Sequence, residues 1–415
     1  MKRLDRSSSL RAAACGALVA PLLLALWLRS SAAQEWPNFP SASAQLDDSA
    51  EADDSAEVGW RSAQPGHAWS FPSDHWAHDE YKVEWWYLTG HLHEGSAVEP
   101  AGAPARFAYQ LTFFRIGLAP SPPALDSAWN ARALVMGHAA ITDRTTGEHR
   151  FSELLYRESE LLAGFGEPGD PRIVWSCAPS GTDAVWELRW NGEAFDLRMS
   201  DARRGMAFEL ATRPRKPLVF QGPGGLSRKS NQPGAASLYY SFTRLTTQGQ
   251  LTLDGVTRAV SGESWMDHEI SSSQLTADQV GWDWLSLQLN DGREVMLYEL
   301  RDARGRSTYA RGTRVTVEGE ARPLTGADWR LQVVRRWRSE ASGVEYPAGW
   351  ILQLEGEPEP WSIDPDVADQ ENRSRLAAAP TYWEGAVTIR SPTGELLGRG
   401  FVELTGYGEG NRPPL

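Results

Sequence analysis

Short runs of alternating apolar and polar residues, each closed by a turn signal roughly every ten residues, fill the chain from about residue 69 to residue 407. This rhythm limits the possible folds more than any other feature. Its clearest instance is Asn191-Gly192. Trp186, Leu188 and Trp190 alternate before it, and Phe195, Leu197 and Met199 after it. Asn-Gly between two such runs predicts a hairpin, because both residues tolerate the positive φ of a tight turn. Asp291-Gly292 repeats the pattern between residues 284–289 and 294–300. Further turns are expected at Thr146-Gly147, Gln248-Gly249, Asp254-Gly255, Glu318-Gly319 and Thr393-Gly394. No amphipathic helix longer than two or three turns emerges. Successive strands joined by tight hairpins predict an all-β antiparallel chain, a sandwich or a barrel, and argue against a parallel βαβ sheet. The 19 Trp argue against disorder throughout, since chains that cannot build a core lack aromatics.

Several strands are apolar on both faces. Val83, Trp85 and Tyr87 alternate with Glu84, Trp86 and Leu88, and Trp282 and Trp284 alternate with Leu285 and Leu287. Such a strand belongs either to a sheet covered on both sides or to a barrel that encloses something apolar.

The start of the chain reads as an address. Lys2, Arg3, Arg6 and Arg11 precede residues 12–28, a run of 17 apolar or small residues, and Arg29-Ser-Ser-Ala-Ala33 then offers small residues at both sites that a signal peptidase reads. This pattern predicts a signal peptide over 1–33 and an exported, periplasmic or secreted, mature chain. A membrane span needs about 20 apolar residues. Anchoring at a membrane by an uncleaved segment is therefore the lesser alternative. Residues 41–59 carry six acids and no base, so 34–68 is expected to be a disordered acidic linker. The net charge is −13, and the basic leader leaves the rest more acidic still, which argues against a nucleic-acid partner. The breaker-rich stretch 214–233 divides the remainder into expected domains 69–232 and 233–408. Leu88-Thr89-Gly90 and Leu404-Thr405-Gly406 hint at duplication.

Several kinds of chemistry lack their motifs. Gly262-Glu-Ser-Trp-Met266 fails the nucleophile-elbow pattern at its last position, and there is no H-E-x-x-H, P-loop or CxxC. No cofactor is expected. The densest polar-aromatic cluster is 262–269. If it is a strand, Trp265, Asp267 and Glu269 share one face while Met266 and His268 share the other. Burial and a neighbouring like charge both raise a carboxyl pKa, and a neutral carboxylic acid in an apolar pocket can donate a proton. The same acids would equally serve a strand end by binding loop backbone. Asp74, His75 and His78 could be metal ligands or acid–base groups, and His91 and His93 lie two apart on a strand. No four-ligand spacing is present, so no metal is expected. Asp283 and Gln288, polar groups within the apolar 281–288 run, would orient Asp267 or tie a loop.

Taken together, Phe71-Pro-Ser-Asp-His75, Glu84-Trp-Trp-Tyr-Leu-Thr-Gly90, Gln110-Leu-Thr-Phe-Phe-Arg115, Trp265-Met-Asp-His-Glu269, Gly281-Trp-Asp-Trp284 and Tyr382-Trp-Glu-Gly385 resemble, in order, the AttH/CrtC family. That family contains the carotenoid 1,2-hydratases and many exported proteins described as lipocalin-like or as predicted secreted hydrolases. The resemblance implies two consecutive lipocalin-like (calycin) β-barrel domains. Some fungal pericyclases share the architecture, so it does not fix one reaction. An Asp of the hydratases matching Asp267 is implicated in catalysis. The hydratases have a Tyr where this chain has Trp265, and a His-x-Trp near the position of Ser237-Leu-Tyr-Tyr-Ser241.

The resemblance implies a cofactor-independent hydro-lyase that adds water to an alkene by acid catalysis. Asp267 would be the acid, with His268 or Glu269 positioning water. Trp265, Trp282 and Trp284 would offer ring faces to the cation. Gln288, Tyr240 and Trp85 would complete a site for a hydrophobic, isoprenoid-like small molecule. Two alternatives stand beside it: a carrier of the same ligand without chemistry, and a secreted hydrolase built on Asp267 and Glu269.

Overall fold

A computed structural model describes residues 59–96, 105–121, 131–179, 184–232, 234–376, 379–408, 410, 412 and 413. The expected signal segment lies outside these residues, as does the expected linker up to residue 58. The described part of that linker, 59–68, is folded. Trp60 and Ala63 are buried, Trp60 lies against Gly117, and Arg61 N–H donates to Glu80 O at 2.9 Å. Apart from two three-residue 3₁₀ turns, the regular elements are β-strands. Among the described residues no helix is long and apolar enough to cross a membrane.

The first sheet opens with β1 (Val83–Glu94), β2 (Phe107–Gly117), β3 (Ala133–Asp143) and β4 (Glu148–Arg157). It continues through β5 (Ala163–Phe165), β6 (Arg172–Cys177), β7 (Val185–Trp190), β8 (Phe195–Asp201) and β9 (Met206–Pro214). The short β10 (Val219–Phe220) and β11 (Leu226–Arg228) precede two 18-residue strands, β12 (Ala236–Leu253) and β13 (Val256–Ser273). The order β4-β3-β2-β1-β13-β12-β9-β8-β7-β6-β5 curls round until a Ser159–Ala163 bridge brings its ends together.

The second sheet runs from β14 (Gln279–Leu289), β15 (Glu294–Asp302), β16 (Ser307–Val315) and β17 (Ala321–Thr325) to β18 (Trp329–Val333). A separate pair, β19 (Arg336–Arg338) and β20 (Glu345–Pro347), follows. The second sheet resumes with β21 (Trp350–Leu354), β22 (Trp361–Pro365), β23 (Glu371–Asn372), β24 (Tyr382–Arg390) and β25 (Leu396–Leu404). Its order is β17-β16-β15-β14-β25-β24-β22-β21-β18, and its two edge strands are neighbours in sequence. Both sheets are nearly closed antiparallel barrels, in keeping with two consecutive lipocalin-like domains.

The expected hairpin at Asn191-Gly192 is present. Gly192 takes φ +99°, and Asn191 Oδ1 accepts the Ala194 N–H at 2.9 Å. The turn expected at Gln248-Gly249 is absent, because Gly249 lies inside β12 between Leu210 and Val260. A Cβ there would run into the Glu209 carbonyl oxygen, so this glycine permits close backbone approach rather than a turn. The division between sheets falls between Ser273 and Gln279, not between residues 232 and 233. The breaker-rich stretch is wedged between the sheets. Lys216 Nζ donates to Thr316 O at 2.8 Å, and Gln221 links Ser241 (2.8 Å) to Thr313 (2.7 Å).

Strands apolar on both faces follow from this arrangement. One face fills a barrel, as Trp86, Leu111, Trp186 and Phe195 do in the first and Leu285, Trp350, Trp383 and Val402 in the second. The other face meets the opposite barrel, where Tyr87, Trp265, Trp284, Met296 and Phe401 form a third apolar cluster.

Candidate functional site

A cavity of about 270 Å³ lies in this third layer, between the barrels rather than inside either one. Its first-barrel wall includes Trp85 and Tyr87 of β1, Tyr239 of β12 and Asp267 and Glu269 of β13. Its second-barrel wall includes Trp282 and Trp284 of β14, Tyr298 of β15, Glu384 of β24 and Glu403 of β25. Strand alternation places these side chains together. Each contributing strand turns every second residue to the junction and the others to its own barrel core.

Asp267 is 2% exposed. Its Oδ1 accepts hydrogen bonds from the Ser241 hydroxyl and from Trp265 Nε1, the latter at 2.8 Å. Burial pushes its pKa up to about 7, with the Glu269 charge adding and the bonds from Ser241, Trp265 and Tyr239 opposing. Glu269 is tied by the Ser237 hydroxyl and by Lys229 Nζ at 2.5 Å. Lys229 also sits 4.6 Å from the Tyr298 ring centre.

Glu384 and Glu403 face each other across β24 and β25. Trp282 Nε1 donates to Glu403 Oε2 at 3.2 Å, whereas neither carboxyl oxygen of the buried Glu384 has a hydrogen-bond partner. Burial pushes both pKa values up, and the opposing charge raises Glu384 further. A buried unpaired carboxylate is costly, so Glu384 holds the proton of the pair while the indole N–H favours the ionised Glu403. The lining thus holds four carboxyls against a single Lys or Arg cation, Lys229, among the described residues. Burial also pushes the nearby His138 down to about 3, keeping it neutral.

Of the residues expected at the site, Asp267, Glu269, Trp85, Trp282 and Trp284 line the cavity. Trp265 stands behind Asp267, its ring 6.3 Å from that of Trp284. Four expectations are corrected. His268 points into the first barrel, where its Nε2 donates to Glu84 Oε1 at 2.7 Å and its ring stacks on Trp86. Tyr240 also points inward, its hydroxyl between His75 Nδ1 (2.7 Å) and His268 Nδ1 (2.9 Å). Gln288 donates to Thr243 O at 2.8 Å and Ser264 O at 3.0 Å, tying strands rather than meeting a ligand. Asp283 faces the second barrel core, held by Arg301 Nε at 2.7 Å and the Tyr407 hydroxyl at 2.9 Å, and does not orient Asp267. His91 donates through Nε2 to Gly400 O at 3.1 Å, across the junction.

Tyr239, Lys229, Glu384 and Glu403 were not anticipated. For the two glutamates the available signal was a charged residue inside an apolar strand, the same signal that singled out Asp283.

The model of the AttH-like family matches residues 62–407. A solved AttH protein from Nitrosomonas europaea is 30% identical with a TM-score of 0.71, covering 84% of this chain and all of its own. Kievitone hydratase from Nectria haematococca is 13% identical with a TM-score of 0.58, over 84% of this chain and 97% of its own, a likeness of fold. No curated protein matches the sequence. The family match spans both barrels and every strand that lines the cavity, and the chain belongs to the AttH-like family.

Proposed function

We propose that the cavity between the barrels binds the unsaturated end of an apolar, isoprenoid-like small molecule, and that Asp267 protonates it to begin an addition of water. The observation that carries this reading is the buried Asp267 carboxyl, with a pKa near 7, among Trp85, Trp282 and Trp284. At that pKa a large share of the carboxyl is protonated near neutrality and still acidic enough to donate. The proton goes to an alkene carbon and leaves a tertiary cation. Indole faces stabilise a desolvated cation by about 2 kcal/mol, and the surrounding carboxyls add to that. A water molecule then supplies oxygen to the cation, and its surplus proton passes to an ionised carboxylate. Glu403 is placed for this, and the proton finally restores Asp267. Glu269, held by Lys229 and Ser237, positions rather than donates.

The volume sits near the lower end of the roughly 300–1,000 Å³ common for ligand pockets. It suits one end of a molecule or a compact ring system rather than a whole long polyene. The named activity of kievitone hydratase is that of a fold relative, and it supports the reaction class here only by analogy. The N-terminal basic, apolar and small-residue pattern supports a site of action outside the cytoplasm.

The test is purified mature protein offered polyenes and prenylated phenols, with hydration read by mass gain of one water. Asp267→Asn is expected to retain ligand and lose turnover by at least about 100-fold. Equal turnover in both proteins would remove Asp267 as the acid. Ligand retained by both with no conversion by either would make the protein a carrier.

A further inference from the structure

A second polar cluster lies on the opposite face of β13, where residues 67–78 pack against the first barrel. At its centre is Glu84, fully buried. Its Oε1 accepts from His78 Nδ1–H at 2.8 Å and from His268 Nε2–H at 2.7 Å, and its Oε2 accepts the His78 backbone N–H at 2.8 Å. These are ordinary hydrogen-bond lengths, so Glu84, His268 and His78 Nδ1 are fully occupied with one another.

The outer side of the cluster is different. With Nδ1 committed to Glu84, His78 presents Nε2 to Asp74, 3.6 Å from Oδ1. On the other side of the same carboxylate, His67 Nε2 lies 3.8 Å from Oδ2. Both separations are too long for hydrogen bonds. His67 Nε2 is buried and has no hydrogen-bond partner. The two imidazole nitrogens and a carboxylate oxygen lie within 4.8 Å of one another. Donors sharing a tetrahedral ion at 2.0–2.1 Å bonds stand about 3.3 Å apart, so closure draws these separations together by at most about 1.5 Å, within reach of side-chain rotation. The three side chains are only 11–13% exposed, close to solvent but sheltered.

We propose that His67, Asp74 and His78 bind a divalent transition-metal ion of the zinc type, with Glu84 as the carboxylate that orients His78. Two imidazoles and one carboxylate make a three-ligand set that leaves a coordination position for water. The Glu84–His78 bond is the familiar second support of a metal-bound histidine, fixing tautomer and ring direction. His67 and Asp74 precede β1 by only a short segment, so the ion would fasten that segment to the barrel through Glu84. Sequence spacing hid the site because His67, seven residues before Asp74, lies outside the motif that draws attention to Asp74 and His78. Without an ion, a protonated His78 bridging Asp74 and Glu84 accounts for two of the three groups and leaves His67 Nε2 unexplained.

The experiment uses the mature chain without a histidine tag. Chelator-treated protein is dialysed against Zn²⁺, and bound metal is measured by elemental analysis. Co²⁺ replaces Zn²⁺ in parallel to report coordination by visible absorption. About one ion per chain is expected, with a higher melting temperature in Zn²⁺. His67→Ala removes a ring nitrogen that holds no other group, so the fold should survive, as circular dichroism will show. Its Zn²⁺ affinity should fall at least about tenfold, and the zinc-dependent rise in melting temperature should vanish. Wild-type protein that retains no stoichiometric zinc, or a folded His67→Ala chain that retains as much as wild type, overturns the site and leaves the protonated His78 bridge. Neither outcome bears on turnover at Asp267, which is read separately.

Discussion

At the scale of the residue, burial alone does not decide the charge of a carboxyl; its donors do. Glu84 and Asp267 are both sealed from solvent. Glu84, between two histidines and a backbone N–H, is held well below the usual carboxylate range by those neighbours and their hydrogen bonds, against burial. Asp267 has only neutral donors, two hydroxyls and an indole, and burial wins. The sign of the consequence follows. Asp267 has a value near 3.8 when unfolded and about 7 when folded, so between about pH 4 and 7 the folded chain keeps a proton that the unfolded chain has released. Its contribution to stability is fully present below pH 4 and declines as pH rises to 7, by on the order of 4 kcal/mol. Asp267→Asn removes that slope, so urea unfolding between about pH 5 and 8 should be flatter for the variant than for wild type. Indistinguishable slopes would mean that Asp267 does not titrate in this window. The same proton is the catalytic one, so wild-type turnover should fall as pH rises above about 7.

At the scale of the strand, period-two alternation carried the sequence reading as far as grouping and no further. Trp265, Asp267 and Glu269 could be placed on one face of β13 before any coordinates, as could the hairpins at Asn191-Gly192 and Asp291-Gly292. Which face looks at which neighbour was not legible, because β13 is buried on both sides and polar residues occur on both. Alternation puts His268 on the face opposite Asp267, where it lies, but cannot say that this face looks into the barrel core, so the expected role of positioning water fails. Tyr240 was chosen over Tyr239 for a related reason. The register that sets Tyr239 opposite Glu269 and Ser241 opposite Asp267 is a non-local pairing, absent from either segment alone. Glu384 and Glu403 reach the cavity from strands more than a hundred residues further on, and only the closure of the second barrel brings them there. Gly249 shows the same limit in the backbone. A Gln-Gly pair reads locally as a turn, but here the glycine lets β12 approach β9 where a Cβ would strike the Glu209 carbonyl. Gly249→Ala should cost about 1–3 kcal/mol by overpacking, measured by urea denaturation. A neutral substitution would show that the two strands can part at this point without penalty.

At the scale of the whole molecule, the two barrels repeat one scheme. In each sheet the first strand lies between the second and the last: β1 between β2 and β13, and β14 between β15 and β25. The Leu-Thr-Gly strings that hinted at duplication fall on non-equivalent strands, β1 and the end of β25, so the repetition is real in topology but was sought in the wrong place. Because the ligand cavity is made by both barrels, their junction controls the site, and charge holds the junction at one edge. Glu294 of β15, fully buried, accepts from Arg244 Nε of β12 at 2.6 Å and from Lys216 Nζ of the wedged segment at 2.7 Å. Both cations are themselves nearly buried. Removing the shared anion leaves two positive charges in a low-dielectric seam, which costs about 3–5 kcal/mol. The exposed Arg322–Glu355 pair, with both partners largely solvated, is worth less than about 1 kcal/mol and serves as the control. Glu294→Ala should therefore lower the unfolding free energy several-fold more than Glu355→Ala. It should also weaken binding of an apolar probe in the cavity, because Tyr298 on the same strand lines it. Equal effects of the two substitutions, measured by denaturant unfolding and by quenching of tryptophan fluorescence on probe binding, would mean that apolar packing alone holds the barrels together.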